Sequence, residues 1–216
     1  MNRADAEILW EVDSVLARDA ANVSQAGGLA FPVLPPLLFF TDPDRAPRPW
    51  ETAARLPPGS GVVFRHFGQA DAAGTAGRLR EATLARNGLL LIGLDAELAE
   101  RVDADGVHLP ERALDQAEAL RAARPDWCIT AATHADVLPA ASSLDALIMS
   151  PVFPPGGLSA DRPALGLTGF GASVRAAPRP VYALGGVNSG NVRSLIGSGA
   201  CGLAGVSAIQ TAFGPD

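Results

Sequence analysis

The chain alternates between short runs of consecutive apolar residues and longer stretches in which Ala, Leu and Arg recur at helical spacing. The apolar runs are LLFFT (37–41), GVVFR (61–65), LLLIG (89–93), GVHL (106–109), CITAA (128–132), ALIMS (146–150), PVYAL (180–184) and CGLAGVS (201–207). A strand with one face in water alternates apolar and polar side chains. These runs do not, which predicts strands covered on both faces, as in a parallel sheet. Helical stretches are predicted between them at about 71–86, 95–102, 111–123, 134–141, 168–177 and 188–198, with a short proline-flanked unit near 49–56. Eight strands in strict alternation with helices, joined by short connections, favour an α/β fold of the closed (β/α)8 TIM-barrel type over an open doubly wound sheet. The first strand also lacks a following GxGxxG; LFFTDPDR stands there instead.

Two features at the ends modify this picture. Little chain follows the eighth run, so the last barrel helix is expected to be truncated or missing. Residues 5–19 read as an amphipathic helix with Ile8, Leu9, Val12, Val15 and Leu16 on one side. The expected organisation is an N-terminal helix and linker over 1–36 and a TIM barrel over 37–216. The extra helix is expected to cover barrel surface that a full last helix would protect.

Composition then narrows the chemistry. The 216 residues are 48% hydrophobic and 19% charged, enough for a substantial core in one domain. All 17 basic residues are arginines. Without lysine there is no Schiff-base lysine, no phosphate-loop lysine and no lysine general base. A formal net charge of −6 argues against a nucleic-acid partner. Cys128 and Cys201 each lie in an apolar run, as buried thiols of a reducing compartment do; neither a disulfide framework nor a thiolate metal site is expected. The N-terminal residues carry scattered acids and no apolar signal core, and the longest apolar stretch, 29–40, is interrupted by prolines. The expectation is a soluble cytoplasmic protein without a membrane partner, and a homo-oligomer is compatible with the sequence.

Barrels of this kind place their active sites at the C-terminal ends of the strands, so polar residues there weigh most. Of the three histidines, His66 follows the second strand and His134 the fifth, which puts both at that rim as candidates for proton transfer. His134 also reads as a helix-start residue after Thr133, and His108, inside the fourth strand, reads as a core or lining residue. No two histidines stand at i, i+4 and none adjoins a ligand-like carboxylate motif, so a zinc site is not expected. A second constellation is ALGGVNSGN (183–191) with GVSAI (205–209), small residues between a strand and a helix start on the last two strands. Backbone N–H groups there can hold a phosphate, which makes Gly185, Gly186, Val206 and Ser207 the candidate phosphate-binding residues. Arg65 ends the second strand, where a guanidinium can clamp a phosphate or carboxylate.

LLFFTD, the arginine after the second strand, DADGVHLPE (103–111), ATH (132–134), SPVFPP (150–155), ALGGVNSGNV (183–192) and ACGLAGVSAI (200–209) resemble, in order and spacing, the thiamine phosphate synthase/TenI family. The resemblance runs from about residue 37 to 209 and implies a TIM barrel. It also implies a phosphorylated thiazole as ligand and, in the synthase, a pyrimidine pyrophosphate with magnesium. The synthase pattern is interrupted here. Where its third strand ends in Asn-Asp, with the Asp a magnesium ligand, this chain has Gly93-Leu94 and then Asp95. Pro110-Glu111-Arg112-Ala113 stands in place of its fourth-loop magnesium motif, and Ala132 in place of a serine. The Thr-x-Thr-Lys that grips pyrophosphate is Pro155-Gly156-Gly157-Leu158, and of Arg-Glu-Lys only Arg65 remains, followed by His66 and Phe67. Arg162 and Glu111 are candidates to compensate. The thiazole-phosphate loops do match, and so does His134, at the position of the histidine that TenI-type tautomerases use for proton transfer.

The resemblance therefore implies a TenI-like, metal-independent protein that aromatises a thiazole phosphate by proton transfer through His134, with Arg65 steering the substrate and no cofactor. The alternatives are a divergent, magnesium-dependent thiamine phosphate synthase and a non-catalytic binder of a thiamine-pathway phosphate.

Overall fold

The computed structural model describes residues 2–26, 34–134, 142–154 and 163–215. The eight apolar runs form β1 (Leu37–Phe40), β2 (Gly61–Phe64), β3 (Leu89–Gly93), β4 (Gly106–Leu109), β5 (Cys128–Thr133), β6 (Ala146–Met149), β7 (Val181–Ala183) and β8 (Gly202–Gly205). All neighbours pair in parallel, and β8 returns to β1, with Leu38 opposite Ala204, so the sheet closes into a barrel. Alternate residues face inward and outward, as the strand period of two demands. Leu38, Phe40, Val63, Leu91, Ile148 and Tyr182 fill the interior. Phe39, Val62, Leu90 and Ile92 meet the surrounding helices. Burial on both faces explains why the strands read as unbroken apolar runs.

The outer layer consists of α1 (Arg3–Ala26), α2 (Pro49–Ala53), α3 (Ala72–Leu84), α4 (Ala96–Arg101), α5 (Ala117–Ala123), α6 (Gly166–Ala176) and α7 (Ser207–Phe213). A 3-10 segment, Glu111–Gln116, leads into α5. The helix expected at 188–198 is reduced to one 3-10 turn, Val192–Leu195. Asparagine side chains explain the loss, because they compete with the helix for backbone groups. Asn188 Oδ1 accepts from Gly190 N, Asn191 Oδ1 accepts from Asn188 N, and both asparagines donate to the Gly186 carbonyl. The helix expected at 134–141 falls, after His134, outside the described residues.

Helix α7 is short, seven residues, and α1 packs against it and against β8. Leu9, Val12 and Leu16 of α1 are buried in the core that surrounds the barrel. Asp13, on the same face, is fully buried and accepts a hydrogen bond from Leu203 N at 2.8 Å; its second oxygen has no partner. Burial holds its carboxyl well above the usual range, against the opposing pull of the Leu203 N–H. No described helix is long and apolar enough to cross a membrane. Cys128 and Cys201 are free thiols; burial pushes Cys128 up to about 12 and raises Cys201 as well.

Asp13 makes a pH-dependent prediction. A carboxyl whose pKa is raised by folding binds more protons in the native state than in the unfolded one. It therefore favours folding fully only below its unfolded value of about 3.9, and this contribution falls as pH rises toward the native pKa. Asp13→Asn keeps an acceptor for Leu203 and removes the titration. Thermal melts between pH 4 and 8 should show the Tm advantage of Asp13→Asn over wild type growing with pH; a constant difference would refute the assignment.

Candidate active site

The C-terminal ends of the strands open into a cavity of about 1210 Å³. Arg65, His66, His108 and His134 all line it, together with Asp95, Glu111 and Phe67. The three histidines, scattered in sequence, have different partners, and the partner sets what each ring can do.

His134 follows β5 directly, and its Nδ1 pairs with Glu111 Oε2 from the loop after β4. Because an ionised carboxylate can only accept, Nδ1 carries the proton of the neutral ring and Nε2 carries its lone pair. Both side chains are partly exposed to the cavity. His66 is held differently. Its Nδ1 accepts from Gly68 N at 3.2 Å, which puts the ring proton on Nε2, and Nε2 faces Asp95 Oδ2 at 3.4 Å. Asp95 also caps α4, accepting from Leu98 N at 2.8 Å. Both ring nitrogens of His66 thus have protein partners within its own loop and the next. His108 is buried at the cavity floor. Its Nδ1 lies 3.0 Å from Thr130 Oγ1, and its ring meets Phe40 edge-on at 5.0 Å. Burial, reinforced by the charge of Arg65, lowers it to about 3, so it is a neutral lining residue.

Arg65 is fixed by three contacts with the end of β1. Its N–H donates to Thr41 Oγ1 and its Nε to the Thr41 carbonyl, both at 2.9 Å, while Nη2 stands 4.0 Å from Asp42 Oδ2. Burial lowers its pKa, opposed by Asp42. Its guanidinium carbon lies 5.5 Å from the Phe40 ring centre and 5.3 Å from that of Phe67.

The phosphate candidates are placed apart from these groups. The cavity wall reaches Leu184, whereas Gly185, Gly186, Val206 and Ser207 lie beyond it on the same end of the barrel. Gly185 and Gly186 have φ of +93° and +68°. A Cβ on Gly185 would stand 2.7 Å from Pro151 Cα, and one on Gly186 2.7 Å from the Phe153 and Pro154 carbonyl oxygens. These glycines are thus required by close packing on the loop after β6, whatever else they do. Ser207 Oγ accepts from Arg45 Nη1 at 3.3 Å. Arg45 sits in a turn organised by Asp42 Oδ1, which accepts from the N–H groups of Asp44 and Arg45. Arg45 had no chemical role legible in the sequence, and the pairing of Asp95 with His66 and of Glu111 with His134 had no local signal, because each partner stands on another strand.

A dication bridging a pyrophosphate wants several hard oxygen ligands directed at one point. The described residues do not fit one. Asp95 is engaged by Leu98 N and His66, Glu111 by His134, the residue before Asp95 is the apolar Leu94, and no group of three metal-binding side chains occurs among the described residues. Pro155-Gly156-Gly157-Leu158 and Arg162 lie outside the described residues.

Fold and cavity together define a (β/α)8-barrel protein with its site at the C-terminal mouth. The chain belongs to the thiamine monophosphate synthase family, whose model matches residues 60–209. It is 33% identical over 134 residues to a thiamine-phosphate synthase of Methanoculleus marisnigri, covering 61% of this chain and 64% of that protein. It is 36% identical over 116 residues to a thiamine-phosphate synthase of Myxococcus xanthus, covering 52% and 53%. The chain thus spans about half to two thirds of the length of these relatives. Among solved structures, a thiamine phosphate pyrophosphorylase from Pyrococcus furiosus superposes with a TM-score of 0.68 at 24% identity, covering 82% of this chain and 91% of that one. That likeness shows the fold.

The packing of the glycine pair is open to test without any ligand. Gly185→Ala adds a methyl where the backbone is left-handed and Pro151 is in the way, and should cost about 2 kcal/mol. For a domain of this size that is a Tm lower by about 4–8 °C in calorimetry. An unchanged Tm would show that packing does not require glycine there.

Proposed function

We propose that this chain is a metal-independent isomerase of the TenI type, which moves a proton within a phosphorylated thiazole to give the aromatic tautomer. The observation that carries this reading is the His134–Glu111 pair in the cavity wall. A tautomerase needs a group that removes a proton from one carbon and returns it to another, and an anchor that holds the substrate still meanwhile. Nε2 of His134 takes the proton. The imidazolium so formed is stabilised by Glu111, and Nε2 then returns the same proton to the second carbon. No electrons are exchanged and no other reactant is consumed. His108, neutral at the floor, supports orientation of the ring, and Arg65 supplies the positive charge that meets a carboxylate. His66 serves to position the mouth loops, since both of its nitrogens are engaged within them. The ester phosphate belongs at Gly185, Gly186, Val206 and Ser207, with Arg45 beside Ser207 as its counter-charge.

The curated relatives bear the synthase name, so the decisive experiment runs both reactions on one preparation. Proton NMR should show tautomer conversion without magnesium. Pyrimidine pyrophosphate, thiazole phosphate and magnesium together should give no coupled product. Magnesium-dependent coupling without isomerisation would replace this reading with the synthase, and saturable ligand binding without either reaction would replace it with a non-catalytic binder.

Two variants separate the roles. His134→Asn should lower kcat by about two to four orders of magnitude while leaving substrate binding within a few-fold, as removal of a general acid/base does. Arg45→Ala should raise KM for the phosphorylated substrate by about tenfold with kcat nearly unchanged, and should leave the dephosphorylated analogue unaffected. Equal loss on both substrates would remove Arg45 from the phosphate end.

A further inference from the structure

Two residues at the cavity mouth combine features that rarely occur together. Phe67 and Leu94 have φ of +46° and +63°, a backbone region unfavourable to any residue with a Cβ, and both are large and apolar. They are also 68% and 40% exposed, Phe67 being the most exposed large apolar residue among those described. Neither strain nor exposure follows from loose loops. Leu94 N donates to the His108 carbonyl at 3.0 Å, and the flanking residues His66 and Asp95 face each other at 3.4 Å, joining the loop after β2 to the loop after β3. Gly68 N and Leu98 N hold the outer sides of that pair. The surrounding hydrogen bonds therefore enforce two costly conformations whose result is an apolar lip. Strain maintained in this way is a mark of ligand-contacting segments.

The charge at the lip is equally specific. Arg65 is the cation between the Phe40 and Phe67 rings, and its nearest carboxylate, Asp42, stands at 4.0 Å. Three carboxylates line the mouth, Asp95, Glu97 and Glu111; Asp95 and Glu111 face histidines. A metal-bound polyphosphate would find apolar surface here and two of the three acids engaged. A flat ring would cover both apolar side chains and stack on Phe67, and a single negative group on it would meet Arg65.

We infer that the mouth is a subsite for a small planar aromatic monoanion, its ring on Phe67 and Leu94 and its charge on Arg65. This subsite shares the cavity of the proposed isomerisation and rests on that reading only for its location. Binding without turnover is what tests it, so the two fail separately.

The probe is 8-anilinonaphthalene-1-sulfonate, titrated into the full chain by fluorescence and calorimetry. Phe67→Gly and Leu94→Gly should each weaken binding by about five- to tenfold, the usual worth of an aromatic or apolar contact of this size. Their Tm should hold or rise, because glycine accepts the left-handed backbone, so weaker binding would not reflect unfolding. Phe67→Trp should retain affinity. Arg65→Gln should abolish the preference for the sulfonate over the uncharged N-phenyl-1-naphthylamine, and millimolar magnesium with inorganic pyrophosphate should not displace the dye. Unchanged dye affinity in both glycine variants, or displacement by magnesium pyrophosphate, would overturn the inference.

Discussion

Pairing of β8 with β1 is the constraint on which everything at the mouth depends. Leu37 to Phe39 lie opposite Leu203 to Gly205, and only with that edge closed do residues from the two ends of the chain become neighbours. The amide of Leu203 shows how firmly the edge is held. It donates to the Pro36 carbonyl at 3.1 Å and to buried Asp13 at 2.8 Å, so α1 is tied to the strand pair that closes the barrel. Tyr182, buried inside, donates its hydroxyl to the Pro35 carbonyl at 2.5 Å and fastens β7 to the approach of β1. At the opposite end the same closure brings Arg45, just after β1, to Ser207, just after β8. A buried carboxyl at the base and a cation at the mouth are two ends of one topological fact.

Closure also explains why three histidines on three strands have unlike properties. A residue at a strand end meets the strand-end residue of its neighbour, so the partner is set by barrel order. His134 on β5 meets Glu111 after β4, and His66 after β2 meets Asp95 after β3. His108 lies one step deeper, where its polar partner among the described residues is the hydroxyl of Thr130. In water all three imidazoles would titrate alike. In the barrel one is backed by an acid, one is locked between two loops, and one is kept neutral by burial. The proposed division of labour among proton transfer, loop positioning and ring orientation follows from these neighbours.

Much of the architecture is legible in the sequence, and for a physical reason: strands buried on both faces leave unbroken apolar runs, and eight of them in alternation with helices leave few topologies open. Rim positions for His66, His134 and Arg65 followed from strand order alone. Three kinds of feature were not legible. Side chains that compete with the backbone, Asn188 and Asn191, replaced a helix that periodicity predicted over 188–198. Partners across strands, such as Glu111 for His134 and Arg45 for Ser207, have no local signal because they are separated by 23 and 162 positions. Left-handed backbone at Phe67 and Leu94 ran against residue type, since glycine is what a sequence uses to announce it. The glycine pair 185–186 marks the middle case: special positions were evident, but the close approach of the loop after β6 was not.

The carboxylates of the mouth bear on the choice between proton chemistry and dication chemistry. A dication on a carboxylate that also holds an imidazolium would weaken that support, because the two cations repel at close distance. Glu111 is the sharper case, since its partner is the residue proposed to change charge during the reaction. If His134 is to become an imidazolium, it needs a fixed negative neighbour, and a metal on Glu111 would remove that support and oppose the new charge. With Leu94 apolar at the position next to Asp95, and Asp95 itself holding the α4 terminus and His66, the two acids that face His66 and His134 are engaged by imidazoles, as the proposed proton transfer requires.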